Sequence, residues 1–532
     1  MFGNLYFYDE YISMLAAQMV VEHGLPFLPS GFFYEHGLLL SYLDGLLLAL
    51  TGFKEEMARW PVLLLSVFTV AAYYAAARRL FGSTLAGLLA ATLVTLDELS
   101  ILWGTRARMY SQAHLFGLLT VTWLLMGTLQ RPAPRYRYLG LAFLAAMLFS
   151  HAVTFLILPP LGLLLLLFSW FYRRDWLRQP RLWQEAGVAL LIVMAALATM
   201  AAGIFKPGGV EAVTQTTTAL AAAPPAGFRF LGGFISPGLA WTRFDNLVGF
   251  FDEPPYDWLL PIIGLSFLFS LYRWGRRRAN FSDLALLFLA LFIALLLFQM
   301  GALVSDTWSK SRYVFIIALP AFLLLSAGSL GQVLTGLVAL VSKISQNRPL
   351  VTGVRALAVI GGVALIVTHW GTPAWNMAQA QSTGDYNTAF AYVREHWQPD
   401  DKVMTTHPAA AYLYLRRCDY YANRVSAAVF REEAEENSLH DRYTGSPLVD
   451  SAGAAQRSVG FGPAVVVCGR CFAAVPAFVL LVTSKSWPRW ITTVPARPMS
   501  FSAGPTPSPS LRTTSLAGSQ FLQYHPVGRL QF

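Results

Sequence analysis

Two adjacent carboxylates, Asp9 and Glu10, stand in the stretch FYDEY, set among aromatic residues. A carboxylate so placed suits a general base that takes the proton of a hydroxyl nucleophile. Farther along, WGTRARMYS supplies Arg106, Arg108 and Tyr110, and DTWSKSRYVF supplies Asp306, Lys310, Arg312 and Tyr313. Guanidinium groups grip phosphate oxygens two at a time, so these stretches suit a lipid phosphate. The first segment adds His23, Glu35 and His36 in EHGLPFLPSGFFYEHG. His151, at the break SHAVTF between two apolar runs, either binds a donor or satisfies a buried backbone group. Each candidate also has a plainer reading: solvated loop acids for Asp9 and Glu10, and side chains snorkelling to lipid headgroups for the four cations.

Whether these groups meet depends on the elements between them. The chain has 532 residues, 55% hydrophobic and 13% charged, against roughly 25% charged in soluble proteins. Apolar runs near the ~20 residues that cross hydrocarbon occur at about 61–80, 84–102, 112–130, 138–153, 155–172, 186–204, 257–272, 281–304, 313–332 and 354–370. The predicted fold class is therefore a polytopic α-helical membrane protein with about ten transmembrane helices.

Arginines cluster in alternate connections: Arg78 and Arg79; Arg131, Arg135 and Arg137; Arg173 to Arg181; Arg273 to Arg278; and Lys343, Arg348 and Arg355. That is the positive-inside pattern repeated five times, and it explains the net charge of +10 without nucleic acid. The alternation puts residues 1–60, 103–111, 205–256, 305–312 and everything after 371 outside. An exported leading segment of that length calls for a signal peptide or a helix ahead of it, so the reading expects one further N-terminal helix. Asp97 and Glu98 fall near the outer end of a predicted span, where acids are either functional or reach interface water.

Four regions follow: an outer segment 1–60 with an interfacial helix at 38–51, a helical domain 61–370, a small external α/β domain 371–450, and an atypical tail 451–532. The tail holds no Asp or Glu and is rich in Ser, Pro, Thr and Arg. A flexible tail, an extra span at 463–484 and a frame error in the gene are the three readings, with the frame error preferred. Cys418, Cys468 and Cys471 are too few for a disulfide scaffold, and one CxxC is weak as a metal or thiol site.

The sequence has no GxGxxG after a strand, no GxxxxGK[ST] and no HExxH, and no basic-side loop is long enough for a nucleotide-binding domain of ~50–200 residues. Substrates of an enzyme built this way come from the membrane or the outside.

Taken together, YDEY, HGLPF, YEHGLL, LTGFKEEMARWPVLL, RRLFG, RARMYS and RYVFIIALP, in that order, resemble the membrane-embedded GT-C glycosyltransferases. The likeness is to the protein O-mannosyltransferase and aminoarabinose (lipid A) transferase group, covers about residues 1–450, and is strong through 115. It implies transfer of a sugar from a polyprenyl-phosphate donor to an acceptor hydroxyl at the outer face of the plasma membrane, with inversion. The acceptor would be a glycolipid, an envelope glycan or a protein. On that model Asp9 matches the catalytic carboxylate and Glu10 orients it or binds a hydroxyl. Arg108 and Arg312 stabilise the leaving phosphate, with Lys310 and Arg106 as helpers. Tyr110 and Tyr313 position phosphate or sugar, and Glu35, His36 and His151 join the substrate-binding set. Some relatives carry an acid where Arg106 stands, so a divalent cation stays an open requirement without a clear site. The rival classes are a non-catalytic or decayed GT-C-like protein and a lipid-linked sugar flippase, although no internal repeat of the transporter kind is visible.

Overall fold

The computed structural model describes the chain apart from residues 1–7, 131–132, 203–240, 305–309, 345–347, 380–385, 397–401, 423–429, 434–437, 442, 450–477, 483–488 and 493–532. The leading segment is more ordered than a loop. Tyr8–His23 forms a helix, α1, rich in the helix formers Ala, Leu and Met. Asp9 and Glu10 occupy its first turn, where the partial positive charge of the helix N-terminus favours acids. Leu38–Thr51 follows as α2, on the residues expected for an interfacial helix. It lies close against α1, since a Cβ at Gly45 would come within 3.2 Å of the Ala17 carbonyl oxygen.

The helical domain begins with α3 (Trp60–Phe81), stopped by Gly82 at φ 63°. Ser83 caps α4 (Thr84–Leu96), and Asp97 ends it and caps α5 (Glu98–Gly104) by accepting from Ser100 N at 2.7 Å. The two helices meet at 63°. The sequence reading takes 84–102 as one straight span; the structure bends it at Asp97, whose side chain caps the new helix. The remaining helices are α6 (Tyr110–Leu125), α7 (Pro134–Leu148), α8 (Leu158–Tyr172), α9 (Arg174–Leu177), α10 (Pro180–Ala202), α11 (Trp241–Asp252), α12 (Leu259–Gly275), α13 (Phe281–Leu303), α14 (Ser311–Ile317), α15 (Leu319–Ile344) and α16 (Arg348–Gln379).

Among the described residues seven helical segments are long and apolar enough to cross a membrane, or eight if the bent α4–α5 pair counts as one span. The chain is a multi-pass membrane protein. The spans expected at 138–153 and 257–272 are α7 and α12, at 15 and 17 residues shorter than the ~20 of a full crossing. From Tyr313 in α14 through the first half of α15 the residues are buried on all sides. α10 and α16, by contrast, expose Leu190, Leu191, Leu357 and Ile360, the faces a bilayer would cover.

The last domain places α17 (Tyr386–His396) and α18 (Pro408–Leu415) beside a five-stranded sheet in the order β5-β2-β1-β6-β7. The strands are β1 (Lys402–Thr405), β2 (Tyr420–Ala422), β5 (Leu448–Val449), β6 (Phe478–Val482) and β7 (Arg489–Thr492); β3 (Phe430–Glu433) and β4 (Ser438–Asp441) form a separate pair. α18 crosses between the parallel strands β1 and β2, while β6 runs antiparallel to β1. The sheet thus reaches past the boundary read at 450, and 478–482, weighed as part of an extra span, is strand. Its residues, FVLLV, are largely β-branched or aromatic, which suits a pleated sheet. Cys468 and Cys471 lie outside the described residues.

This domain is docked on α1. Tyr11 meets Tyr386 and Tyr414 edge-on, with centroids 5.4 and 6.4 Å away, and Arg416 pairs with Glu22 at 2.7 Å. The 24–37 loop joins it, with Ser30 N donating to Tyr443 O at 3.2 Å and Phe32 against the Tyr443 ring.

Candidate active site

The first turn of α1 holds Asp9 with its side chain 25% exposed, at the meeting point of two guanidinium groups. Arg108 Nη2 lies 3.5 Å and Arg312 Nη1 3.8 Å from the same oxygen, Asp9 Oδ2. Residues 99 and 303 positions apart in the chain are therefore brought together, and each cation is fixed from behind. Arg108 Nη1 donates to Asp9 O (2.8 Å), Ser13 Oγ (3.0 Å) and the Tyr34 hydroxyl (2.9 Å), and its Nη2 donates to the Tyr110 hydroxyl at 3.4 Å. Burial holds the Tyr34 phenol above its ordinary value, so it stays a neutral partner.

Arg312 is placed by α14, whose Tyr313 to Ile317 face is buried and leaves Arg312 half-exposed toward Asp9. Its guanidinium lies over the Tyr313 ring, 5.1 Å from the centroid. α14 is pinned to the core by His114, which contacts the Phe315 carbonyl oxygen at 2.9 Å and the Tyr73 hydroxyl at 2.6 Å. Lys310 caps the same helix. Partial burial and then the nearby Arg312 push its ammonium below the usual lysine range. Burial raises the Tyr313 phenol to about 12, so it remains protonated in any ordinary buffer.

Glu10 points elsewhere. Its carboxylate is 1% exposed and bidentate with Arg59, at 3.0 Å to Nε and 3.0 Å to Nη2, and it accepts from Ala107 N at 2.8 Å. The neighbour of Arg108 is thereby tied to the neighbour of Asp9. The Arg106 guanidinium lies over the Trp103 ring, 5.5 Å from its centroid, and that ring meets Tyr110 edge-on at 4.4 Å.

A floor of rings lies next to the cations. His151 is stacked on His36 (5.5 Å, 13° between planes) and is 5.6 Å from both Tyr110 and Tyr313. His151 Nδ1 accepts from Val153 N at 3.0 Å, capping the 3-10 turn Ala152–Ile157, so the backbone-satisfying role is present. Its place against three candidate rings puts it in the site as well. His36 Nε2 lies 3.5 Å from Glu35 Oε1. Gly37, at φ 77°, lets the chain turn into α2 at close quarters: a Cβ there would stand 3.0 Å from the Met109 Cβ. Among the described residues no three His, Cys, Asp or Glu side chains converge as a metal site requires. Asp306 is outside the described residues. Asp97 is buried, so it does not reach interface water; it caps α5 through Ser100 N and accepts from the Tyr256 hydroxyl.

Sequence reasoning missed Ser13, Tyr34 and Arg59. Ser13 was findable, being one helical turn beyond Asp9; Tyr34 and Arg59 lie in YEHG and EEMARWP but carry no sign of which partner they meet.

Residues 35–198 match the family model described as dolichyl-phosphate-mannose-protein mannosyltransferase. No curated protein sequence gives a significant match. Among solved structures, ArnT from Cupriavidus metallidurans bound to undecaprenyl phosphate is similar, with a TM-score of 0.51 at 14% identity, over 80% of this chain and 83% of that one. The apo state of the same protein gives 0.50 at 14% identity, over 80% and 82%. At that identity the likeness is one of fold. The chain thus has an ArnT-like membrane fold, and residues 35–198 within it match the dolichyl-phosphate-mannose-protein mannosyltransferase family model, in line with the likeness read from the sequence.

Proposed function

We propose that this chain transfers a glycosyl group from a polyprenyl-phosphate donor to an acceptor hydroxyl, at the outer face of the plasma membrane and with inversion. The observation that carries the reading is the placement of Asp9 Oδ2 within 3.5 Å of Arg108 and 3.8 Å of Arg312. Two guanidinium groups converging on one anion form a ready receptor for a phosphate, which offers them more oxygens than Asp9 does. When the donor phosphate takes the guanidinium groups, Asp9 is released from them and becomes the free carboxylate next to the reacting centre.

The step then balances simply. The acceptor oxygen forms a bond to the anomeric carbon while the bond from that carbon to the phosphate oxygen breaks. The electron pair leaves on the phosphate, which Arg108 and Arg312 stabilise, and the hydroxyl proton passes to Asp9. A lipid phosphate is a weakly basic leaving group, so stabilisation by fixed positive charge suffices without an acid. Attack opposite the leaving group inverts the anomeric centre. Lys310 adds charge beside Arg312. Tyr110, Tyr313, His36, Glu35 and His151 line the space where phosphate and sugar would lie. Glu10 acts through Arg59 and the Ala107 amide as a positioning residue, and Arg106 remains a less direct helper beside the Trp103 ring. ArnT from Cupriavidus metallidurans, similar in fold, was solved bound to undecaprenyl phosphate, which supports a polyprenyl carrier here too. The last domain packs on α1, the helix that carries Asp9, which supports placing it on the same side of the membrane as the site.

The test is to incubate the reconstituted protein with radiolabelled polyprenyl-phosphate sugars, comparing wild type with Asp9→Asn. Transfer by wild type and its loss in the variant is expected. Equal transfer by both removes Asp9 from the mechanism, and transfer by neither, with the fold intact, moves the reading to a non-catalytic glycolipid-handling protein.

A further inference from the structure

A groove of about 420 Å³ lies among α4, α15 and α16, far from the Asp9 site. It falls in the roughly 300–1,000 Å³ range of small-molecule pockets. Its walls are apolar, including Leu85, Val338 and Val359, and its polar groups are Thr335, Ser342 and Arg355. Its shape follows from where the helices touch. At Gly331 a Cβ would come within 3.1 Å of the Ala86 Cβ, and at Gly362 within 3.0 Å of both Leu334 and Leu89. These contacts shut one end; between residues 335–342 and 355–359 the helices part.

The groove sits at the opposite membrane face from the catalytic candidates. α15 starts just after Arg312, and Ser342 lies 23 residues past its first residue, roughly 35 Å along the helix. Arg355 is seven residues into α16, roughly 10 Å from its start, a depth from which a guanidinium reaches headgroups while its stem stays in hydrocarbon. Leu337, Leu340 and Ile360, on the same two helices, are exposed apolar side chains that face lipid.

We infer that this groove is a binding site for an anionic phospholipid, with an acyl chain between the helices and its phosphate at Arg355. Charge argues for the headgroup. None of α4, α15 and α16 contains an Asp or Glu, whereas Arg355 lines the groove and Lys343 directly follows its lining residue Ser342. Among the described residues neither cation has a carboxylate within ion-pairing distance. Ser342 and Thr335 supply hydroxyl donors at two depths, and a basic pocket between spanning helices is a known way to hold acidic headgroups. The site is independent of the glycosyl-transfer reading.

The experiment uses the full chain, purified in detergent and returned to nanodiscs of phosphatidylglycerol or phosphatidylcholine, with retained lipid counted by native mass spectrometry. Wild type should hold one phosphatidylglycerol in preference to phosphatidylcholine. Arg355→Gln should weaken that preference about fivefold, the scale of one lost basic contact at a membrane surface. Ala358→Trp, which fills the groove, should remove the retained lipid while the protein melts as wild type does in detergent. Unchanged retention and preference in both variants overturns the proposal. So does displacement of the retained phospholipid by polyprenyl phosphate at equal concentration, which would assign the groove to the donor.

Discussion

Arg59→Ala is the most informative perturbation, because it tests whether the clamp beneath the site sets the site's geometry. Glu10 is 1% exposed and receives two hydrogen bonds from Arg59 and one from the Ala107 amide. Removing one partner of a buried pair costs about 3–5 kcal/mol, since the remaining charge is left uncompensated. The Ala107 amide still solvates Glu10, so the lower end, about 3 kcal/mol, is expected. The loss falls on the contact between the first turn of α1 and the 105–109 stretch, which carry Asp9 and Arg108. Misplacement of about 1 Å there corresponds to roughly a hundredfold loss of rate. The assay is sugar transfer in nanodiscs together with thermal melting, for Arg59→Ala, Glu10→Gln and Glu10→Gln/Arg59→Met. A neutral pair of similar volume should recover most of the stability, because a buried ion pair and an apolar replacement are often equivalent. An Arg59→Ala protein that melts and turns over like wild type would refute the clamp.

Arg108→Lys should cut kcat/KM by about 10²–10³, because an ammonium cannot keep the Asp9, Ser13, Tyr34 and Tyr110 contacts at once; activity within a few-fold of wild type would rule out the phosphate role. Lys310 gives up its proton at a lower pH than an unfolded lysine near 10.5. Between those values the unfolded chain binds the extra proton, so its contribution to stability rises with pH. Transfer that uses its charge falls across the same window, and Lys310→Arg should remove this alkaline loss; Tyr313, held at about 12, titrates too high to cause it. Tyr386→Ala, truncating a side chain 3% exposed and packed on Tyr11, should cost about 3 kcal/mol and make the last domain cleavable by protease at lower temperature than wild type.

The spans and the three chemistry-bearing stretches were legible because each is signalled locally, by apolar runs, by alternating arginine clusters and by short motifs. The convergence of Asp9, Arg108 and Arg312 was signalled only by topology and by the family resemblance, since no short motif encodes contacts across 99 and 303 positions. Other features depend on contacts that no local pattern records. Glu10 and Asp9 are adjacent and chemically alike, yet a helix sends neighbouring side chains about 100° apart, and Glu10 is thereby turned to Arg59. The break at Asp97 was hidden because the apolar run continues through it and only the cap to Ser100 ends α4. The strands β6 and β7 lie in a stretch whose composition points to disorder, and their pairing with β1 is long-range.

α1 is gripped near both termini by the last domain, through Tyr11 on Tyr386 at one end and Glu22 on Arg416 at the other. A rod seized at two points cannot swivel alone. Any movement that widens the space around Asp9 for a bulky substrate must therefore carry the sheet domain along, or else shift Arg108 and Arg312 while the carboxylate stays put.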